Sequence, residues 1–234
     1  MRRLRLALIT AGVLSLPLVA ASAHAATTAA AKPTVKAGPS ASQLLAKVSG
    51  CKQVSKGKFR TDDETSANIA VCGSVKGKPV WIKADMDVDC DGVSTARCNK
   101  KTDPWYQNDT AIHTSKGKPF TADVTRYFVL PQNSASAWKF QTDSGIGMGD
   151  VAAIIYNGKV SYAVLADTGP TNIIGEASYA TAKSLGINPD PKNGGTDSGV
   201  TYIVFPKSKP SPVEDNGAID AKGAAAANAF VNGG

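Results

Sequence analysis

Apolar and polar positions are grouped along the chain into short runs punctuated by glycine, proline, asparagine and lysine. The most ordered pattern lies in Val151–Gly186. Two apolar runs flank Asn157-Gly158, the dipeptide that best favours a type I′ hairpin turn. In the second run, alternation sets Val160, Tyr162, Val164 and Ala166 on one side and Ala163 and Leu165 on the other. Both sides are apolar, so the hairpin is expected in the interior. The run ends on Asp167, at Asp-Thr-Gly-Pro. Glu176 then opens a stretch of helix-forming composition that stops at Gly186. A strand thus delivers one carboxylate and a helix start delivers another.

Weaker patterns fill the rest. Ser40–Val48 predicts a short amphipathic helix with Leu44, Leu45 and Val48 inward. Asn68–Cys72 and Val80–Met86 predict strands joined around Gly77, Thr125–Leu130 a strand stopped by Pro131, and Gly199–Phe205 a last strand. No apolar period is present from Ala26 to about Pro39, which predicts a disordered linker, bounded at residues 26–42. The catalytic domain is expected over residues 43–210. From about Ser211 the chain turns to Lys, Pro and Ser and then to Asn, Ala and Gly, and a weakly ordered tail is expected over 211–234. Many short strands with few helices predict a single-domain, mainly β protein, a barrel or sandwich with one or two short helices.

Composition narrows the class. Residues 1–25 carry Arg2, Arg3 and Arg5, an apolar run and Ala23-His24-Ala25, the pattern of a secretory signal peptide cleaved after Ala25. No later run is long enough to span a bilayer, so a secreted, extracellular protein with no membrane association after cleavage is expected. Its removal leaves 23 basic residues against 19 acidic, lowering the net charge from +7 to +4. That balance does not argue for a nucleic-acid partner. Four cysteines in an exported chain predict two disulfides, Cys51–Cys72 and Cys90–Cys98, worth roughly 2–4 kcal/mol each. Zinc is disfavoured because no Cys-x-x-Cys pair is present.

Elimination then points to carboxylates. His113 is the only histidine after residue 25, which removes multi-histidine zinc hydrolysis, and nothing near it resembles a nucleophile elbow. Paired cysteines leave no thiolate. Gly145-x-Gly147-x-Gly149 precedes a strand and is no dinucleotide fingerprint. Paired carboxylates, by contrast, are what glycosidic bond hydrolysis requires. Asp85, Asp87, Asp89 and Asp91 alternate along a predicted strand and fall on one face. Like charges so placed call for a cation. Asp87-x-Asp89-x-Asp91-Gly92 opens like an EF-hand, but Cys98 holds the twelfth position where a bidentate Glu is required. A loose calcium site at Asp87, Asp89 and Asp91, a cationic-substrate site and a solvated acidic turn all remain open. Asp167-Thr-Gly also fits an aspartic protease, with Asp143-Ser-Gly or Asp197-Ser-Gly as partner, but Pro170 follows the glycine and Glu176 would go unused. Each acid has an ordinary explanation too: Asp before Thr-Gly caps a turn, and Glu in a first helical turn complements the dipole.

A resemblance shifts that balance. Asp85-Met-Asp-Val-Asp-Cys-Asp-Gly92 followed by Cys98, Tyr127-Phe-Val-Leu-Pro131, Gly149-Asp150-Val-Ala, and Ala166-Asp167 followed by Ile174-Gly175-Glu176-Ala177-Ser178 resemble, in order, the chitosanases of glycoside hydrolase family 75. The likeness runs from about Lys47 to Lys207. It implies endo-hydrolysis of β-1,4 glucosamine chains with inversion, and the family's essential Asp and Glu fall on Asp167 and Glu176. It also implies a double-psi-like form of the barrel, no cofactor, chitosan as partner and a monomer. Under that reading Glu176 is the general acid and Asp167 the base, although a helix start would hold Glu176 ionised. Asp85, Asp87, Asp89 and Asp91 would attract the polycation, and Trp105, Tyr106 or Trp138 could stack on sugar faces. The rival class is a non-catalytic, barwin-like module that binds polysaccharide.

Overall fold

The computed structural model describes residues 37–133 and 138–233. The proposed signal segment and residues 26–36 of the proposed linker lie outside them. Six strands close into a barrel in the order β1-β5-β2-β4-β3-β6: β1 (Val80–Asp89), β2 (Tyr127–Pro131), β3 (Val151–Tyr156), β4 (Lys159–Gly169), β5 (Glu176–Ser178) and β6 (Thr196–Phe205). The pairs β1·β5 and β2·β4 are parallel and the other four antiparallel. A mainly β, closed barrel is therefore what the chain builds. The β3–β4 hairpin turns at Asn157-Gly158, both with positive φ (45° and 77°), as the primed turn requires.

Strand alternation divides the apolar side chains into two layers. Ile82, Ala84, Met86, Phe128, Leu130, Ile154, Leu165, Ala177 and Val204 meet inside the barrel. Tyr127, Val129, Val151, Ile155, Val164, Ala166 and Ile203 form an outer layer. Helices α1 (Ala41–Lys47) and α3 (Asn216–Val231) cover that outer layer, and α2 (Tyr179–Leu185) closes on the inner one. In α1 a Ser40–Gln43 capping box starts the helix. Leu44 and Val48 are buried as expected, but Leu45 is 37% exposed and Ala41 takes its place.

Two expectations fail here. The segment after Ser211 is not a weakly packed tail. Residues from Asn216 form the sixteen-residue α3, capped by Asp215, with Ile219, Gly223, Ala224 and Ala227 buried. Its packing uses small residues: the Gly223 α-carbon lies against the Tyr162 ring, where a Cβ would overlap it. Asn68–Cys72 is not a strand either. It makes single bridges, Phe59 to Ile69 and Cys72 to Gln53 and Trp81, and the Cys51–Cys72 disulfide fastens it. Cys90–Cys98 is also formed.

Candidate active site

The carboxylates gather on the outer face of the barrel, where β1, β5, β2 and β4 lie side by side. Strand register builds the central row: Asp87 pairs with Glu176, Glu176 with Val129, and Val129 with Asp167. In-register neighbours point to one face. Asp167 reaches that face only through an irregularity. Phe128 pairs with Leu165, but Val129 pairs with Asp167 and skips Ala166. Simple alternation would have sent Asp167 inward with Ala163 and Leu165; the bulge re-aims it outward.

Glu176 is on a strand, not a helix start. It opens β5, and α2 begins three residues later with Ser178 as its N-cap. The side chain leans across Val129 towards β4, where Oε2 would stand 3.2 Å from a Cβ placed on Gly169. Burial pushes its carboxyl up to about 8, and Asp87, Asp91, Asp167 and Asp103 add to the shift. The objection that a helix dipole holds Glu176 ionised therefore falls away.

Asp167 is held differently. It is buried, and Oδ1 accepts hydrogen bonds from the amides of Thr168 (2.7 Å) and Ala111 (3.0 Å). Its other oxygen, Oδ2, has no hydrogen-bond partner among the described residues. Burial raises its carboxyl to about 6, against the pull of those two amides. The Ala111 amide is set by Thr110, whose buried hydroxyl accepts from the Phe120 amide (3.1 Å) and donates to the Ile112 carbonyl (2.8 Å). The Ile112 amide in turn donates to the Ala166 carbonyl (3.1 Å), so this loop is tied to the bulge itself.

The acidic run occupies the adjoining strand. Asp85, Asp87 and Asp89 alternate outward on β1, while Asp91 lies beyond its end. Asp89 is buried; its Oδ1 accepts from the Asp91 amide (2.6 Å), and burial with Glu176 beside it drives its carboxyl well above the usual range. Asp91 accepts from the Gln107 amide (2.6 Å) and rises to about 7, chiefly by burial. Burial likewise pushes Asp85 to about 8 and Asp87 to about 6. Among the described residues, no three His, Cys, Asp or Glu side chains converge as a metal ion would need.

Of the aromatic residues, Trp105 is 85% exposed and offers an open face. Tyr106 is turned inward, and its hydroxyl donates to the Gly92 carbonyl (2.6 Å). Trp138 packs on Phe140 in the core, with ring centroids 4.8 Å apart, so it presents no face to a ligand. Sequence reasoning passed over Tyr127. Its buried hydroxyl donates to the Asp91 carbonyl (3.0 Å), joining the outer core to the acidic run. Asp150, central to a matching motif, is a structural anchor: it accepts from the amides of Gly147, Lys207 and Ser208. No aspartic protease dyad forms among the described residues. Asp143 accepts from the Lys139 amide, and Asp197 lies on β6, across the sheet from Asp167.

One carboxylate anchored through a single oxygen and one half-buried carboxyl held towards its protonated form, in one row beside further acids, are the groups that two-carboxylate glycoside hydrolysis draws on. Comparison with known proteins agrees. The family described as fungal chitosanase of glycosyl hydrolase group 75 matches residues 86–232, and the chain belongs to that family. An endo-chitosanase of Aspergillus fumigatus is 28% identical over 166 residues, covering 66% of this chain and 69% of that protein. Endo-chitosanase C of Aspergillus oryzae is 34% identical over 141 residues, 58% of this chain but 34% of its own length. Endo-chitosanase B of the same species is 31% identical over 127 residues, 52% of this chain and 53% of that protein.

Proposed function

We propose that the protein is an endo-chitosanase that cleaves β-1,4 linkages between glucosamine units by single displacement. The observation that carries this reading is the unequal treatment of two carboxyls in one row. Glu176, pushed to about 8, keeps a proton near neutral pH and can give it to the leaving glycosidic oxygen. Asp167, at about 6 and fixed through Oδ1, is ionised there, and its buried Oδ2, which has no partner among the described residues, is the oxygen left to accept a proton from a water brought in with the substrate. Val129 separates them by two strand spacings, about 10 Å between α-carbons. That leaves room for water on the far face of the sugar and favours the wider gap of about 6.5–9.5 Å that inverting enzymes use.

The substrate is a polycation, and the row lies in an acidic setting built by Asp85, Asp87, Asp89 and Asp91. Attraction is therefore local and screened beyond about 8–10 Å at physiological salt. Trp105 is free to stack on a sugar face. An exported enzyme suits both a polymeric substrate and two disulfides, and no helix among the described residues is long and apolar enough to cross a membrane. Release of reducing ends from chitosan separates hydrolysis from mere binding. Proton NMR of the first product gives the stereochemistry: inversion at a β linkage yields the α-anomer first. A β-anomer would require a covalent intermediate and carboxyls about 5 Å apart.

A further inference from the structure

His113, the only histidine after residue 25, lies in the loop that reaches Asp167. Its Nε2 donates to Asp109 Oδ1 at 2.7 Å, and the same oxygen accepts from the Thr110 amide at 2.9 Å. The two side chains thus close a turn around Ala111. That turn presents the Ala111 amide to Asp167 Oδ1 (3.0 Å) and the Ile112 amide to the Ala166 carbonyl (3.1 Å). Asp167 is gripped by the residues that the pair encloses.

Asp109 is also the carboxylate already charged when Asp167 ionises. Asp89 of β1, Asp91 beyond its end, Glu176 of β5 and the Tyr127 hydroxyl of β2 all face Asp167, and burial keeps each of them protonated to higher pH. Asp87 stands on the far side of Glu176 in the row. Asp109 is exposed, and the hydrogen bond from His113 holds it below the usual carboxylate range. It is therefore negative where Asp167 gives up its proton, at about 6. Ala111 is the second residue on from Asp109, at most about 7 Å between α-carbons. A like charge at that range favours the protonated carboxyl. Among the described residues, the charged partner that acts on Asp109 is His113. Further along the loop, Ser115 engages Glu214, with Lys116 beside it.

We propose that Asp109 and His113 are positioning residues that set how readily Asp167 ionises, Asp109 by opposing its charge and His113 by offsetting Asp109 and closing the turn. That Asp167 is the base rests on the chitosanase reading; the effect of the pair on its carboxyl does not. Loss of His113 leaves the Asp109 charge uncompensated and frees the turn, so Asp167 keeps its proton to higher pH. Loss of the Asp109 charge with its oxygen retained acts the other way. A purely structural tie would show no such opposition, because Asp109→Asn keeps an acceptor for both hydrogen bonds.

NMR titration of the Asp167 carboxyl carbon in the whole protein reads this without turnover. Against the wild type, His113→Ala should move the midpoint up by about half a pH unit, and Asp109→Asn should move it down by about as much. Both side chains are exposed, so neither change threatens the fold. Movement in the same direction, or a midpoint unchanged in either variant, would overturn the role. The acidic limb of the kcat profile on chitosan is measured separately and should follow the same two shifts. Carboxyl midpoints that move as expected while that limb stays fixed would remove Asp167 as the base and leave the effect of the pair standing.

Discussion

At the scale of single residues, the environment of each carboxyl decides its role. Asp150 receives three amide hydrogen bonds and is spent on structure. Asp167 receives two on one oxygen and none on the other. The Ala111 amide is one of those two, and the Thr110 hydroxyl braces the loop that presents it, together with the Ile112–Ala166 hydrogen bond. Thr110→Val keeps the shape and removes both of its hydrogen bonds. The ionised form of Asp167 should then lose support, so the acidic limb of the kcat profile should move to higher pH and kcat fall about tenfold. Thr110→Ser should restore both. A Thr110→Val profile that superimposes on the wild type would show that this threonine does not position the base. Elimination of histidine, thiol and metal left carboxylates in general, and the resemblance to the family 75 chitosanases picked out Asp167 and Glu176 among them; strand register does set these two in one row. The manner in which each acid is held was not legible in the sequence, since amides from residues 111 and 168 leave no mark on side-chain patterns.

Elements explain most of what the sequence hid. Glu176 read as a helix start because helix-forming composition runs unbroken from there to Gly186. The strand assignment comes instead from pairing with β1 and β2, roughly 90 and 50 residues away in the chain. Alternation, a sound guide for Val160–Ala166, fails one residue later at the β4 bulge and would have hidden Asp167 in the barrel. On β1 the same rule worked for Asp85, Asp87 and Asp89 and ended with the strand, so Asp91 is held by the following loop. α3 escaped because its buried face is alanine and glycine, which carry little apolar contrast; Gly223 shows its fit only once Tyr162 is placed over it. Tyr106 and Trp105 are adjacent and look alike in sequence, yet one is tied inward to Gly92 and the other stands open.

For the whole molecule, the acids concentrated on one face set a cost that depends on pH. Asp85, Asp87, Asp91, Asp167 and Glu176 all titrate between about 6 and 8 in the folded state, above their ordinary 3.8 or 4.5. Between those limits the folded chain binds more protons than the unfolded one. Stability must therefore fall as pH rises from about 4 to about 8. The Tm of the free enzyme should drop by about 5 °C or more across that range. Glucosamine oligomers should recover most of the loss at the upper end, because they bind only the folded state. A Tm that rises with pH over this interval would mean these acids are paired in a way the fold does not provide. The effect comes chiefly from burial of these acids, with repulsion from neighbouring carboxylates adding to it.

The central claim is that Glu176 and Asp167 act together as acid and base. Its most direct test is the kcat of Glu176→Gln and Asp167→Asn on chitosan, with circular dichroism confirming the fold. Each should lose about 10²–10⁴-fold or more, with the Glu176→Gln profile also losing its upper pH limb. Retention of kcat within about tenfold of wild type in either folded variant would remove that residue from the chemistry and with it the two-carboxylate account.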